Sequence, residues 1–395
     1  MKILIVSKCP THPTTAGNRW AVLAQANTLA SLGNDIHFLY IDERGLRNPN
    51  SGDKETSCQA TKEYWGVKFH YLQISKAEKF LKNIVLNFRR KCNRSYVKCD
   101  DAYPWHLTSF VHKLQEEHHF DACIVNYYYL TKLFNKTDFA KKALHTHDCM
   151  AYRDIMVGEK CISLTANEEA KAMQRSPYIF ALQDEEAAYF QLLSPRSKIF
   201  NIYSKYEYLP QPTADNHNIV FLSGGNSFNV NGLKWFISEI FPAILVRFPD
   251  TQLVVGGSIC DRLGKKGQGG WINNPDITSQ VVLYGYVDNP ADFYALADVA
   301  INPVYQGTGL KIKTFEAISY DKVTMVHPHS MKGVFEKSIA PLFVSDEAKA
   351  WIDFLEQAWE KPGFITAWKE HNKAYMERLG KFVENEYKRF INEWI

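Results

Sequence analysis

Residues 307–316, a segment rich in glycine and lysine, have the residue types that bind phosphate groups. The segment follows a strand-like run, 299–303, and leads into a predicted helix. Glycines let the backbone approach a ligand closely, and the first turn of a helix presents unpaired N–H groups and positive dipole. Lys313 and Glu316 are three residues apart, so a cation for phosphate and a carboxylate for ribose hydroxyls would share one helical face. The pattern is typical of a nucleotide-sugar site.

The same residues also permit a simpler interpretation. Lys313 and Glu316 could form only an exposed i,i+3 pair, and glycines after a strand often serve a turn alone. Lys311 and Lys313 cannot both face one ligand once the helix has begun, because residues i and i+2 point apart. One of the two lysines could then be merely solvated, and the segment alone leaves both interpretations open.

The composition argues against several classes of function. The chain has 395 residues, of which 46% are hydrophobic, so two domains with well-filled cores are expected. Its 46 Lys and Arg residues nearly balance 43 Asp and Glu residues, which does not favour a nucleic-acid partner. The 8 cysteines are scattered without a C-x-x-C pair. This indicates free thiols in a reducing compartment, with neither a disulfide framework nor a structural zinc site.

The hydropathy pattern predicts no segment that crosses a membrane. The apolar run in residues 1–8 is too short for the h-region of a signal peptide and is better interpreted as a buried first strand. No later run approaches the ~18 apolar residues that a spanning helix needs. We therefore expect a cytoplasmic protein, peripheral at most, at the inner face of a membrane.

Short apolar runs alternate with longer amphipathic ones along most of the chain. This alternation predicts two Rossmann-like, doubly wound α/β domains that face a cleft. The predicted domains are residues 1–207 and 219–365, joined by a polar linker with two prolines at 208–218, and a helix at 366–395 ends the chain. The predicted strands are 2–7, 35–41, 67–73, 122–126, 143–147, 178–182, 198–203, 219–223, 252–255, 281–284, 299–303 and 322–327; the main predicted helices are 19–32, 232–248, 290–297 and 310–320.

Glycine-containing loops follow three of the predicted strands in the C-terminal half. They are residues 223–227, 256–258 and 307–309. Each is a weak signal by itself, because turns need glycine anyway. In an open α/β sheet, however, ligands lie beyond the carboxyl ends of the strands, where all three loops would meet. Their common position favours a ligand site.

Several motifs in combination resemble those of a known family. They are the strand–Gly–Gly–Asn start that ends at residue 226, the helix entry at 229–236, and the runs 253–257, 282–287, 296–299 and 307–316, with the Gly17 loop, a helix end at Leu32-Gly33 and Thr146-His147-Asp148 in the N-terminal half. This set resembles the retaining glycosyltransferases of the GT-B fold, family-4 or group 1 type. The lysine-containing run is similar to that of bacterial surface-polysaccharide members.

The resemblance implies a function and a set of site residues. The implied reaction transfers a hexosyl-type sugar from a nucleoside-diphosphate sugar to a hydroxyl of a glycan or lipid-linked acceptor, with retention and with no metal or other cofactor. The donor would lie on the C-terminal domain, the acceptor on the N-terminal one, and 366–395 would cross back to the latter. The candidate residues are Gly225, Gly256, Tyr286, Gly307, Thr308, Gly309, Leu310 and Glu316 for the donor, Lys311, Lys313 and His147 for catalysis, and Gly17, Arg19 and Asp148 for acceptor or phosphate contacts.

The chain departs from the family pattern at two places. Of two acidic residues that family members carry eight apart, Glu316 matches the second, whereas the first position is Thr308. An Arg and a Lys that commonly neutralise the diphosphate correspond here to Gly225 and Asn231. The positive charge must then come from elsewhere, and the lysines of the 307–316 segment are the obvious substitutes.

Two of the N-terminal candidates have equally simple alternatives. His147 is one of 13 histidines and could be a satisfied core or surface residue. Arg19 could stay solvated on the first helix.

Residues 76–98 combine positive charge with apolar residues at near-helical spacing. The segment has eight Lys or Arg residues and one acid, Glu78. A basic amphipathic helix can rest on an anionic lipid surface, which would suit a lipid-linked acceptor. The alternative is that its apolar side packs on the sheet while its basic side is solvated.

Two rival functions use the same fold. A nucleotide-sugar epimerase or hydrolase would bind the donor without an acceptor, but it would need paired acids or bases, and no convincing pair is evident. A non-catalytic nucleotide-sugar-binding protein would be consistent with the departures at Thr308 and Asn231.

Overall fold

The computed structural model describes residues 1–14, 17–43, 54–92, 98–157, 163–263, 279–307 and 309–394. The chain divides into two compact units. The N-terminal unit comprises Met1–Ser204 together with Val383–Ile395, and the C-terminal unit comprises Lys205–Phe382. Each unit is built on its own sheet.

The sheet of the N-terminal unit has seven strands, and every neighbouring pair is parallel. Its order is β3-β2-β1-β4-β5-β6-β7. The strands are β1 (Lys2–Ser7), β2 (Asp35–Asp42), β3 (Phe69–Gln73), β4 (Ala122–Asn126), β5 (Lys141–His145), β6 (Tyr178–Ala181) and β7 (Lys198–Asn201). The central strands are buried on both faces, which explains their continuous apolar runs.

The helices of this unit lie between its strands in sequence. They are α1 (Gly17–Ser31), α2 (Lys54–Trp65), α3 (Lys76–Cys92), α4 (Leu107–His118), α5 (Arg153–Val157), α6 (Ala166–Met173) and α7 (Asp184–Leu193), with 3₁₀ turns at Gly66–Lys68, Lys98–Ala102 and Tyr128–Asn135. The first helix starts two residues before its predicted start. Gly33, with φ +82°, follows its end as the sequence predicts, because glycine accepts the left-handed conformation at a helix C-terminus.

Two buried histidines of neighbouring strands form a polar pair within this unit. His37 Nδ1 and His70 Nε2 are 3.0 Å apart, and the ring of His118 lies 4.8 Å from that of His70, centre to centre. Burial, together with the charges of His118 and His37, lowers the pKa of His70 to about 4. The pair is therefore neutral in the folded protein at neutral pH.

The sheet of the C-terminal unit has six parallel strands in the order β10-β9-β8-β11-β12-β13. The strands are β8 (Ile219–Leu222), β9 (Leu253–Gly256), β10 (Val281–Gly285), β11 (Val299–Asn302), β12 (Val323–Val326) and β13 (Leu342–Val344). The last strand was not predicted. It has three residues, none of them buried, and therefore lacks the apolar run that marks the others.

The helices of the C-terminal unit cover both faces of this sheet. They are α8 (Ser227–Trp235), α9 (Phe241–Arg247), α10 (Cys260–Leu263), α11 (Pro290–Tyr294), α12 (Ile312–Ser319), α13 (Ala348–Glu360) and the first part of α14 (Phe364–Trp394), with a π-helical turn at Phe236–Ile240 and a 3₁₀ turn at Pro328–Met331. From Val383 on, α14 belongs to the N-terminal unit. The predicted helix at 232–248 begins earlier, at Ser227, because the Asn226 side chain caps it by accepting from Asn229 N–H at 2.9 Å.

The two cores are filled mainly by aromatic and branched side chains. In the C-terminal unit, Trp351 of α13 is fully buried against Phe236, with 5.3 Å between ring centres. At the end of α14, Trp394 packs on Tyr178 of β6 inside the N-terminal unit. These contacts explain why the chain's tail carries tryptophans.

Candidate active site

The sheet of the C-terminal unit has a topological switch point between β8 and β11. These strands are neighbours, and the chain winds from β8 towards β10 on one side and from β11 towards β13 on the other. In open sheets of this kind, ligands bind beyond the carboxyl ends of the strands at the switch point. The first predicted glycine loop follows β8 and the predicted phosphate-binding segment, residues 307–316, follows β11, so the topology brings both to this point.

Close backbone contact explains the glycines after β8 and β9. A Cβ atom on Gly225 would lie 2.8 Å from the carbonyl oxygen of Ser258, and one on Gly257, at φ +91°, would lie 2.4 Å from a carbonyl oxygen of the loop after β8. The Gly225 N–H donates to Ser258 Oγ at 3.1 Å. A Cβ on Gly256 would lie 2.5 Å from the ring of Phe293, so this predicted donor residue has a packing role.

The loop after β11 presents backbone N–H groups. Gly307 and Gly309 have φ values of +101° and +75°, a conformation that favours glycine. The ring of His329 donates to the Gly307 carbonyl at 3.0 Å and so orients this loop. Within the described residues, the N–H groups of Gly309 and Leu310 have no acceptor, which leaves them available to an anion. Thr308 lies outside the described residues.

Both lysines of the segment lie close to the switch point. Lys313 Nζ donates to Asn229 Oδ1, in the first half of α8, at 2.5 Å, and it lies 5.6 Å above the ring of Phe221. Burial and the charge of Lys311 lower the pKa of Lys313 to about 7, although Glu316 opposes this shift. A bound anion would stabilise the charged form of Lys313, because burial and the like charge of Lys311 destabilise that form in its absence.

The second lysine is not solvated, contrary to one of the sequence interpretations. Lys311 is buried and donates to the Gly307 carbonyl at 3.4 Å. Its φ of −82° and ψ of 72° place it before the helix proper, which starts at Ile312 and not at the predicted residue 310. The rule that residues i and i+2 point apart holds only inside a helix, so Lys311 and Lys313 can lie near one another.

Glu316 is a half-buried carboxyl on the same helix. Burial raises its pKa to about 7, while a bond from the Tyr294 hydroxyl, 3.4 Å from Oε2, and the charge of Lys313 oppose the rise. In the described part of the chain, Glu316 makes no ion pair with Lys313. The interpretation of the two residues as an exposed i,i+3 pair is therefore wrong.

An arginine that the sequence interpretation missed contacts the first glycine loop. Arg262 of α10 donates from Nε to the Gly225 carbonyl at 3.2 Å, and its guanidinium remains exposed. Arg262 therefore places a positive charge at this loop. In the family that the sequence resembles, the arginine would instead stand at the position of Gly225. The only sequence signal for Arg262 is that it follows the second glycine loop by a few residues.

Tyr286 lies further from the switch point than the lysines do. It follows β10, the outer strand of the sheet, directly after Gly285 at φ +84°, and its ring is exposed. An exposed aromatic ring at a strand's carboxyl end can stack on a flat base. A role for Tyr286 in donor binding stays a prediction.

In the N-terminal unit, His147 is buried at the carboxyl end of β5. Its Nε2 lies 2.6 Å from Asn126 Oδ1, and its ring stacks between those of Tyr127 and His145. Burial and His145 hold the pKa of His147 well below its usual range, so the imidazole is neutral. His147 and Tyr127 both have positive φ, 66° and 71°. Such strained backbone clusters at functional sites and costs about 1–3 kcal/mol per residue.

The other N-terminal candidates have structural partners. Arg19 is buried rather than solvated, and its Nη1 donates to the carbonyls of His12 and Pro13 at 3.3 and 3.2 Å. Gly17 is the first residue of α1. Asp148 Oδ2 lies 3.3 Å from Arg153 Nη2 in an ion pair.

The buried Glu169, also missed from sequence, supports the loop after His147. Its carboxylate accepts from the N–H groups of Met150 and Ala151 at 2.9 and 3.1 Å. These two charge-assisted bonds hold the backbone just beyond the histidine. No sequence signal distinguishes Glu169 from the other acids of α6.

Comparison with known proteins shows which families and structures the chain resembles. Residues 216–361 match the family model "Glycosyl transferases group 1". A Klebsiella pneumoniae relative, described as an uncharacterized 44.6 kDa protein in the cps region, is 23% identical over 338 residues, which is 80% of each chain.

Solved structures show the same fold over the whole chain. Sucrose-phosphate synthase from Thermosynechococcus elongatus has a TM-score of 0.66 at 12% identity, covering 100% of this chain and 98% of that one. The pneumococcal O-GlcNAc transferase GtfA, solved with UDP and GlcNAc, has a TM-score of 0.65 at 10% identity, covering 100% and 99%. HepE from Anabaena, solved with UDP, has a TM-score of 0.60 at 10% identity, covering 99% and 100%.

The protein has the GT-B fold, and residues 216–361 match the group 1 glycosyltransferase family model. The resemblance and the fold class predicted from the sequence are thereby confirmed. A glycosyltransferase activity and the details of its reaction are proposals for this protein.

Proposed function

We propose that the protein is a retaining glycosyltransferase that moves a hexosyl-type sugar from a nucleoside-diphosphate sugar to an acceptor hydroxyl. One observation carries the proposal. Lys311 and Lys313, both desolvated, lie at the switch point of the C-terminal sheet. The N–H groups of Gly309 and Leu310, which have no acceptor among the described residues, lie in the same loop, so a bound diphosphate would accept from them and neutralise the lysines.

The proposed reaction needs positive charge beside the leaving diphosphate. The bond between the anomeric carbon and the diphosphate oxygen breaks while the acceptor oxygen bonds to the same face of that carbon. The acceptor's proton passes to an oxygen of the leaving diphosphate. Negative charge grows on the diphosphate as the sugar becomes oxocarbenium-like, so the lysines and N–H groups stabilise the transition state more than the bound donor.

Glu316 supports recognition of the nucleoside. Its carboxylate is held by Tyr294 on the face of α12 that also carries Lys313. In its ionised form it accepts bonds from two ribose hydroxyls. We assign it this role rather than catalysis, because a carboxylate beside the diphosphate would oppose the departing charge.

His147 supports recognition of the sugar. Its ring is neutral and fixed by Asn126, so it presents a defined donor and acceptor pattern without adding charge. A strained backbone that aims such a ring is consistent with a hydrogen bond to a donor-sugar hydroxyl. Arg262 adds a third positive charge at the first glycine loop.

The choice of donor and acceptor follows from the relatives. GtfA and HepE were solved with UDP, which makes a UDP-sugar the first donor to test. The relative in the cps region makes polysaccharide biosynthesis the proposed setting, with a glycan or lipid-linked saccharide as acceptor.

A thermal-shift panel of nucleotide sugars, followed by turnover of the stabilising donor, tests the proposal. The Lys311→Met/Lys313→Met variant is expected to lose donor stabilisation and at least about a hundredfold in rate, as loss of an oxyanion donor does. The matched control is Lys349→Met, which removes an exposed lysine of α13. Unchanged turnover in the double variant would refute the proposal. Sugar release without acceptor would instead indicate a hydrolase or epimerase, and binding without turnover a non-catalytic protein.

A further inference from the structure

Helix α3 exposes a row of large apolar side chains. Phe80, Leu81, Ile84 and Phe88 are 67%, 53%, 53% and 69% exposed. At 3.6 residues per turn their positions fall within an arc of about 100°. The alternative that the apolar side of this helix packs on the sheet is therefore wrong. A contiguous exposed face of this kind marks an interaction site.

The opposite side of α3 attaches the helix to the N-terminal unit. Glu78 is buried, accepts from the Trp105 N–H at 3.0 Å and lies 3.8 Å from the His106 ring. Partial burial of Lys82, together with the charge of the nearby Lys8, lowers its pKa to about 8. These contacts attach one side of α3 to the N-terminal unit, so the apolar row on the other side points away from that unit.

The charge around this face is positive. Residues 76–98 contain eight basic residues, and their one acid, Glu78, is buried in the contact just described. Of this segment, residues 93–97 lie outside the described residues. A second copy of the chain would set this positive segment against itself in a symmetric contact, which is unfavourable. A surface with negative charge and an apolar layer beneath it matches both features.

We propose that α3 docks the protein on a membrane that contains anionic lipid. The four apolar side chains enter the boundary between headgroups and acyl chains, while Lys76 and Lys79, beside them on the helix, lie against lipid phosphates. In the part of the chain that the structure describes, no helix is long and apolar enough to cross a membrane. Docking from one side is therefore the arrangement proposed.

Co-sedimentation with lipid vesicles tests the docking. Vesicles of phosphatidylcholine with phosphatidylglycerol are expected to bind the full chain, pure phosphatidylcholine vesicles much less, and high salt should weaken the binding. The Phe80→Ser/Phe88→Ser variant should lose at least about tenfold in partitioning for each phenylalanine removed. Leu192→Ser/Val246→Ser, which removes two apolar side chains exposed elsewhere, is the matched control and should bind like wild type.

A second variant tests the charges alone. The Lys76→Gln/Lys79→Gln variant, which neutralises two described lysines beside the apolar row, should lower binding to the anionic vesicles and leave the melting temperature unchanged. Equal vesicle binding by the wild type and the phenylalanine variant would overturn the proposal. So would a dimer in buffer that the phenylalanine variant abolishes, because the face would then belong to a second copy. The measurement needs no sugar donor, so its failure leaves the proposed glycosyl transfer untouched.

Discussion

Proton uptake on donor binding gives a direct test of the role of Lys313. Its pKa is about 7 in the unliganded protein, so the ammonium carries its proton in only about one molecule in ten at pH 8. A diphosphate against Nζ favours the charged form and restores a high pKa. Binding of UDP at pH 8 is therefore expected to take up about 0.9 proton through this residue.

The same linkage sets the pH dependence of affinity. Between pH 7 and pH 9 the charged fraction of a group with this pKa falls from about one half to about one hundredth. Affinity should then decrease as the pH rises, with the dissociation constant for UDP increasing about fiftyfold. Lys311→Met should move the onset of this decrease to higher pH, because the charge of Lys311 helps lower the pKa.

Calorimetry in buffers of different ionisation enthalpy measures the proton uptake. The Lys313→Met variant is expected to bind UDP more weakly and to lose the uptake, whereas Lys349→Met, at an exposed lysine, should keep both at the wild-type values. Equal uptake by wild type and Lys313→Met would show that the diphosphate does not lie against this ammonium. The assignment of Lys313 to the leaving group would then be abandoned.

Three further predictions concern stability and binding. Gly257→Ala should lower the free energy of unfolding by roughly 2 kcal/mol or more in urea titrations, because its Cβ would lie 2.4 Å from a backbone oxygen. Gly66→Ala, whose Cβ would have no atom within 4 Å, should lower the free energy of unfolding by only about 1 kcal/mol. The lowered pKa of His70 means that the free energy of unfolding is highest above pH 6.5 and falls by up to about 3 kcal/mol towards pH 4, as measured by urea denaturation at a series of pH values. His70→Gln should flatten this slope, and an unchanged slope would contradict the assignment. Arg262→Met should raise the dissociation constant for UDP about tenfold by calorimetry, and no change would exclude a phosphate contact.

Much of the fold could be predicted because parallel strands buried on both faces leave a strong pattern. All twelve predicted strands occur within a few residues of their predicted bounds. The strand at Leu342–Val344 could not be predicted, since three half-exposed residues carry no periodic signal. Helix starts were also displaced where a side chain decided them, as Asn226 does for α8.

The candidate site was predicted in part. The glycine loops could be assigned to strand ends, but the sequence left open whether one of Lys311 and Lys313 is solvated, and it missed Arg262. The contacts of Arg262 and Lys313 each join two different strand–helix units. Lys313 meets Asn229 only because β8 and β11 are neighbours, although more than 70 residues separate them.

The sequence by itself determined the class of fold, the family motifs and the positions of the glycine loops, because hydrophobic period and backbone freedom are local properties. Only the tertiary structure decided which charges are desolvated. The low pKa of Lys313, the raised pKa of Glu316 and the burial of Arg19 depend on what packs around each group. The exposed face of α3 was likewise undecided until packing showed which side of the helix the unit covers. Burial is a property of the assembled fold, and local sequence does not contain it.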